Sequence, residues 1–232
     1  MCIVHMMPQG SMEWEQARLG IPTASEFSEI ITPAKLELSK SGKKYLYRKL
    51  AEWMYGAPLE AFVSPWMERG KALEAQAVRY YEMERDVETS AVGLVTTDDG
   101  MIGASPDRLV GDDGLLEQKC QALETHVGYM LNPQSLVDEY RLQVQGQLWV
   151  CERAWCDLQS YYPGFPSVIV RAEVETKVSL ALAMHISAFV ETMLKCRVLL
   201  QQTYGDLRRE REPAKPLEVS EASFDAFLRG VV

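Results

Sequence analysis

The chain has 232 residues, 47% of them hydrophobic, and a formal net charge of -9. That is enough apolar material for one large α/β domain with its own core, and the acidic balance by itself argues against a nucleic-acid partner, because phosphate backbones attract Lys and Arg, although net charge averages over patches. The N-terminal "MCIVHMMPQG" lacks the basic region and long apolar run of a secretion signal, and no stretch approaches the roughly 18 apolar residues of a membrane span, so a cytoplasmic location is expected.

In chain order, "MEWEQARLG" and "TASEFSEII" read as two short helices, the second opening on a capping box of Thr23 and Glu26. A basic segment from Lys35 to Lys49 leads into a helix ending near Tyr55, and Pro65 precedes a long amphipathic helix, "WMERGKALEAQAVRYYEME". The period then changes to alternating. "ETSAVGLVTT", "MIGAS", "DRLVG" and "LLEQKC" read as strands, punctuated by Asp-Asp-Gly turns at 98–100 and 112–114. A short helix over "QALETHVGYML" and a longer one over "PQSLVDEYRLQVQGQLWVCER" follow; the second has an apolar stripe of Val137, Tyr140, Val144, Leu148 and Cys151. Two strands, "AWCDLQSYYP" and "SVIVRAEVE", precede a helix from about Thr176 to Tyr204. The order predicts a mixed α/β (α+β) fold, a central mixed sheet flanked by helices, in one domain over 1–205. Residues 206–232 read as a charged linker and short tail with Phe224, Phe227 and Leu228 on one side.

The five cysteines, Cys2, Cys120, Cys151, Cys156 and Cys196, are odd in number and form no C-x-x-C pair, so reduced thiols are expected rather than disulfides or an iron–sulfur cluster. With only three scattered histidines, a His-based zinc site is not expected.

The chemistry concentrates in "GASPDRLVGDDGLLEQKC". On a strand, residues two apart share a face, so Glu117 and Lys119 point the same way. A turn at Asp112–Gly114 returns Asp107 to the end of the second strand. Two carboxylates and one ammonium then converge. They suit either a divalent-cation site for phosphoryl chemistry or a plain cross-strand ion pair. The buried-looking company of Leu115, Leu116 and Cys120 favours the first, because charge is costly to bury unless used or paired.

The segment "SPDRLVGDDGLLEQKC" resembles the PD-(D/E)xK nuclease signature: Pro106-Asp107, nine residues, then Glu117-Gln118-Lys119. In order around it, "ARLGIPTASE", "RGKALEAQA" and "QVQGQLWV" resemble segments of the phage lambda exonuclease family, also called the YqaJ-like viral recombinases. The matches span about residues 14–150. The resemblance implies a restriction-endonuclease-like fold and a Mg²⁺-dependent (or Mn²⁺-dependent) 5′→3′ exonuclease with two ions per active site. It digests one strand from a duplex DNA end, as a homotrimeric ring, and an annealing protein loads on the exposed 3′ strand. A bacterial or phage-infected cell is the implied setting.

By motif match, Asp107, Glu117, the Gln118 carbonyl and Glu74 would hold metal, Lys119 would hold or activate the water, and Gln145 would orient water or phosphate. Read alone, Glu74 also suits a solvated helix face, and Gln145 a boundary position beside Arg141 and Trp149. Arg18, Ser25 and Ser105 occupy the positions of the family's terminal-phosphate pocket. For Arg18 a surface ion pair with Glu15 is the other reading, and for Ser25 helix capping. Lys43, Lys44 and Arg48 lie in the basic segment expected to meet the DNA backbone, unless that segment is simply a solvated face. An endonuclease with the same core and a non-catalytic DNA-end-binding module are the competing functions. Gln121 stands where many relatives have proline, which is expected to alter the strand exit.

Overall fold

The computed structural model describes residues 1–59 and 65–208, with side chains described for 1–59 and 72–208. The elements are β1 (Ile3–His5), α1 (Met12–Arg18), a 3-10 helix (Ala24–Glu29), α2 (Gly42–Tyr55), α3 (Pro65–Arg85), β2 (Thr89–Ala91), β3 (Leu94–Thr96) and β4 (Gly103–Ala104). They continue with β5 (Arg108–Val110), β6 (Gly114–Lys119), α4 (Leu123–Leu131), α5 (Gln134–Cys151), β7 (Trp155–Ser160), β8 (Val168–Glu173) and α6 (Thr176–Tyr204). The expected central mixed sheet is present: five strands in the order β2-β5-β6-β7-β8, with β6 and β7 parallel and the other pairs antiparallel. A smaller antiparallel sheet, β1-β3-β4, stands beside it.

Helices cover both faces of the main sheet. Leu115, Cys156 and Leu158 are fully buried on the face where α5 packs, in a core shared with Phe27, Val144, Leu148 and Leu182. One residue along each strand the direction reverses, so Leu116 points the other way, into a smaller cluster with Val110 and Tyr81 of α3. Close approach governs the α5 packing. A Cβ on Gly146 would lie 2.6 Å from the Phe27 ring, so only glycine lets the 3-10 helix seat on α5.

Three expectations need correction. The run "ETSAVGLVTT" is two strands belonging to different sheets, because the chain crosses over at Val92–Gly93. The segment from Ala24 is a 3-10 helix without a capping box: its N-cap Thr23 makes no side-chain cap bond, and its hydroxyl instead accepts from Arg18 Nη2 at 3.3 Å. In addition, α6 is by length and composition apolar enough to cross a membrane, with a mean hydropathy of 1.3 over its most apolar window. Here Val178, Leu182, Ile186, Val190 and Met193 form its inward stripe, while Leu180, Met184, Leu194, Val198 and Leu199 stand exposed on the rest of the helix. The N-terminal strand β1 carried no pattern of its own; three residues become a strand only by pairing with β3. All five cysteines are free thiols, and the fully buried Cys156 is pushed well above the ordinary thiol range by burial. The tail residues Phe224, Phe227 and Leu228 lie outside the described residues.

Candidate active site

Pairing of β5 with β6 ends at Arg108 opposite Leu116, so the last residues of β6 have no β5 partner on that edge. Asp107, the residue before β5, takes the vacated position: its Oδ2 accepts the Gln118 backbone N–H at 2.6 Å. On the α5 face of the same strand end, Lys119 Nζ donates to Glu117 Oε1 at 2.8 Å. The turn therefore brings Asp107, Glu117 and Lys119 together as their spacing predicts. Asp107 and Gln118 also line a cleft of about 360 Å³, shared with the exposed Glu74 and the buried Val78 of α3 and with Met6, Met7 and Gln9.

Glu117 is only 4% exposed and is gripped from α5. Gln143 Nε2 donates to its Oε1 and Gln147 Nε2 to its Oε2, the latter at 2.7 Å. Gln143 returns a second bond, accepting from Lys119 at 3.1 Å through its own Oε1. The Lys119 ammonium also lies 4.2 Å from the centre of the Tyr140 ring, whose hydroxyl accepts from Gln121 Nε2 at 2.8 Å. Gln121 thus buttresses this ring.

Gln145 does not join them. It is 2% exposed, its Nε2 donates to the Glu173 carbonyl at 2.7 Å, and its Oε1 accepts the Glu175 N–H at 2.8 Å. It is a clasp between α5 and the β8–α6 junction, placed there because a helix turns about 100° per residue and it lies some 200° from its glutamine neighbours. Gln143 and Gln147, four apart and hence on one face, are the pair that reach the site; that spacing was the available signal for them.

The charges are unbalanced. Burial first, then the neighbouring Glu117 charge, pushes Asp107 well above the ordinary carboxylate range; the Gln118 N–H and Lys119 pull the other way, and Glu74 adds to the rise. Burial pulls the Lys119 ammonium down, but Glu117 and Asp107 more than restore it, so it lies above the ordinary lysine value. Among the described residues no three His, Cys, Asp or Glu side chains stand at metal-ligand spacing. Two carboxylates beside one ammonium fit a hard divalent cation that keeps its waters and shares substrate oxygens, rather than one caged by protein alone.

A second cluster lies on the α1 side. The Arg18 guanidinium stacks 4.0 Å from the centre of a Trp14 ring, and the Trp14 indole N–H donates to Ser105 Oγ at 3.1 Å and to the Gly93 carbonyl at 2.9 Å. Arg18 Nη2 bonds Thr23, whose hydroxyl stands 3.4 Å from that of Ser25. The three predicted pocket residues are thus joined in one chain of contacts, with Trp14, unforeseen, at its centre. Burial lowers the Arg18 pKa, and its Nε is buried with no hydrogen-bond partner among the described residues. Arg48, by contrast, is committed to Glu26, and Lys49 is buried between Glu26 and Glu52; only Lys43 and Lys44 of the predicted DNA-facing trio stand exposed in α2 without that pairing.

The family model for the YqaJ-like viral recombinase domain matches residues 13–154. None of the curated proteins compared with the chain is significantly similar to it. Among solved structures, an alkaline exonuclease (LHK-Exo) from Laribacter hongkongensis is 29% identical with a TM-score of 0.74, covering 85% of this chain and 100% of that one. Its complex with dAMP matches equally. A phage-related exonuclease from Haemophilus somnus 129PT, 14% identical, shares the fold with a TM-score of 0.62, over 78% of this chain and 96% of that one.

Proposed function

The chain belongs to the YqaJ-like viral recombinase family, and from that premise we propose that this nuclease is a 5′→3′ exonuclease of duplex DNA. It would leave a 3′ single strand for annealing recombination. The observation that carries the reading is the meeting of Asp107, Glu117 and Lys119 at the end of β6, beyond its pairing with β5 and beside a cleft lined by Glu74. Asp107, Glu117 and the Gln118 main-chain carbonyl would hold Mg²⁺ or Mn²⁺, and Glu74 with Asp107 a second ion. When bound, such an ion supplies Lewis acidity at the phosphoryl oxygen and lowers the pKa of a coordinated water.

The chain's own residues do the rest. Lys119, fixed by Glu117, Gln143 and the Tyr140 ring, presents its ammonium protons to the attacking water and to the charge growing on phosphorus oxygens. Gln143 and Gln147 keep the Glu117 carboxylate in one orientation. Arg18, supported by Trp14, is a cation with an uncommitted buried N–H, suited to a terminal phosphate with Ser25 and Ser105 alongside. Each cleavage regenerates that terminal phosphate, which favours repeated digestion from one end. Lys43 and Lys44 would meet the duplex backbone, the working unit would be residues 1–205 assembled as a homotrimeric ring, and an annealing protein would take the 3′ strand in the cytoplasm of the bacterial host.

The test is digestion of end-labelled linear duplex with and without Mg²⁺, comparing 5′-phosphate with 5′-hydroxyl ends and with closed circular DNA. Mg²⁺-dependent release of nucleotides from linear 5′-phosphorylated duplex is expected, with circles left intact. Efficient linearisation of circles would make the protein an endonuclease, and binding to ends without release would make it an end-binding module. Arg18→Ala should reduce the preference for 5′-phosphate by about tenfold, the scale of one charge-assisted contact; an unchanged ratio would overturn the pocket.

A further inference from the structure

The segment leaving β1 forms one wall of the cleft that holds Asp107 and Glu74, and this wall is apolar: Met6, Met7 and Pro8. Its backbone is pinned. Gln9 Nε2 donates to the Val92 carbonyl at 3.0 Å and to the carbonyl of Pro106, the residue before Asp107, at 2.8 Å. The His5 carbonyl accepts the Gly93 N–H at 3.1 Å, and a Cβ on Gly93 would fall 1.9 Å from the Met7 carbonyl oxygen, so a side chain there would drive the wall off the cleft. The side chains on this fixed backbone are not spent in the core. Met6 is 70% exposed and Met7 half-buried.

A rigid backbone carrying soft side chains beside two acids that would hold a divalent cation is a surface suited to something apolar attached to an anion that the cation draws in. The cleft, about 360 Å³, is at the small-ligand end of the pocket range. Methionine is unbranched and polarisable, it packs against rings of differing outline, and its sulfur favours aromatic edges. A nuclease that digests any sequence needs contact with a base but no discrimination among bases, a demand that hydrogen-bonding side chains would defeat.

Resting on the nuclease reading above, we propose that Met6 and Met7 form a nucleobase-contacting wall that takes the base of the 5′-terminal nucleotide, the one whose 3′ linkage lies at Asp107, whichever of the four it is. They are positioning residues: they fix the nucleotide while Asp107, Glu117 and Lys119 act on the phosphate.

The test places 2-aminopurine as the 5′-terminal nucleotide of a linear 5′-phosphorylated duplex, on a Lys119→Ala background that cannot turn the DNA over. At saturating protein, the change in 2-aminopurine fluorescence on binding should fall by at least about half in the Met6→Ser/Met7→Ser variant and return in Met6→Leu/Met7→Leu. With Lys119 intact, kcat/KM of the serine variant should drop about tenfold, the scale of lost apolar contact in a pocket, and equally for all four terminal bases. An unchanged fluorescence signal overturns the proposal, as does a drop in activity that tracks a lowered Tm. If the Lys119→Ala protein binds no duplex ends before either methionine is changed, the nuclease reading falls as well; if it binds them and the serine variant matches it, only the methionine wall falls.

Discussion

Two buried carboxylates stand one register step apart in the main sheet and have opposite fates. Asp157 of β7 is fully buried on the α3 face, opposite Leu116. Arg171 donates to both its oxygens at 2.8 and 2.9 Å, the Tyr81 hydroxyl donates at 2.9 Å, and Arg85 stands 3.8 Å away. Burial, then the Asp157 charge, pushes the Tyr81 hydroxyl above its ordinary range, so it remains a donor. Glu117 of β6, on the α5 face, has one ammonium and two neutral amides, and its charge helps to push the neighbouring Asp107 carboxyl upward. The first carboxylate is matched by cations and holds strands and helix together. The second sits in a group with surplus negative charge beside an open cleft, which is an arrangement that stores demand for a cation. Burial alone therefore does not distinguish a working acid from a structural one; the balance of charge around it does.

The comparison is broken most severely at Lys119. Lys119→Ala should lower the rate of digestion by about 10²–10⁴-fold, the span of a lost positioned proton-transfer or charge-stabilising group, while end binding persists; substantial residual turnover would argue that the ammonium only balances Glu117. Asp157→Asn should behave in the reverse way. It should cost about 2–4 kcal/mol of unfolding free energy, less than a fully buried pair because the Arg171 side chain is 47% exposed and can rehydrate. Its kcat per folded molecule should stay near wild type, and a fall in kcat at full stability would erase the distinction between the two acids. Gln145→Ala sharpens the same contrast within α5. Losing two bonds to backbone should cost about 1–3 kcal/mol in denaturant unfolding with KM and kcat unmoved, whereas Gln147→Ala should lower kcat.

The smallest effect is pH-dependent. Arg141 donates to Glu175 and holds its carboxyl below the ordinary 4.5, against a smaller opposing push from burial. A depressed acid contributes stability that is fully present above the unfolded value and lost as pH falls through the folded one. With the carboxylate 40% exposed, the contribution should be about 0.5 kcal/mol. Arg141→Met should flatten the acid limb of Tm against pH by that amount; an unchanged limb would leave the clasp at this junction to Gln145 alone.

Much of the fold was legible because it rests on local periodicity. The helices from Gly42, Pro65, Gln134 and Thr176 and the hairpin around Asp112–Gly114 follow from apolar spacing and turn residues. The convergence of Asp107, Glu117 and Lys119 was legible for the same reason: strand alternation and a short turn set it within one hairpin. What misled was long-range. Gln145 matched a motif by position, yet helix phase gave it to Glu173 and Glu175, and Arg48 looked free in a basic run that Glu26, 22 residues earlier, had already engaged.

By itself, then, the sequence determined the strand pairing that gathers the acids and lysine, because each step of that argument spans only a few residues of chain. Only the tertiary structure decided which glutamines of α5 grip Glu117, that Trp14 joins Arg18 to Ser105, and that the N-terminal methionines wall the cleft. Those contacts depend on how helices and strands distant in sequence are rotated and seated against one another, through close approaches such as Gly146 on Phe27 and Gly93 under Met7. Side-chain direction at such a junction is set by packing, which no local pattern in the chain encodes.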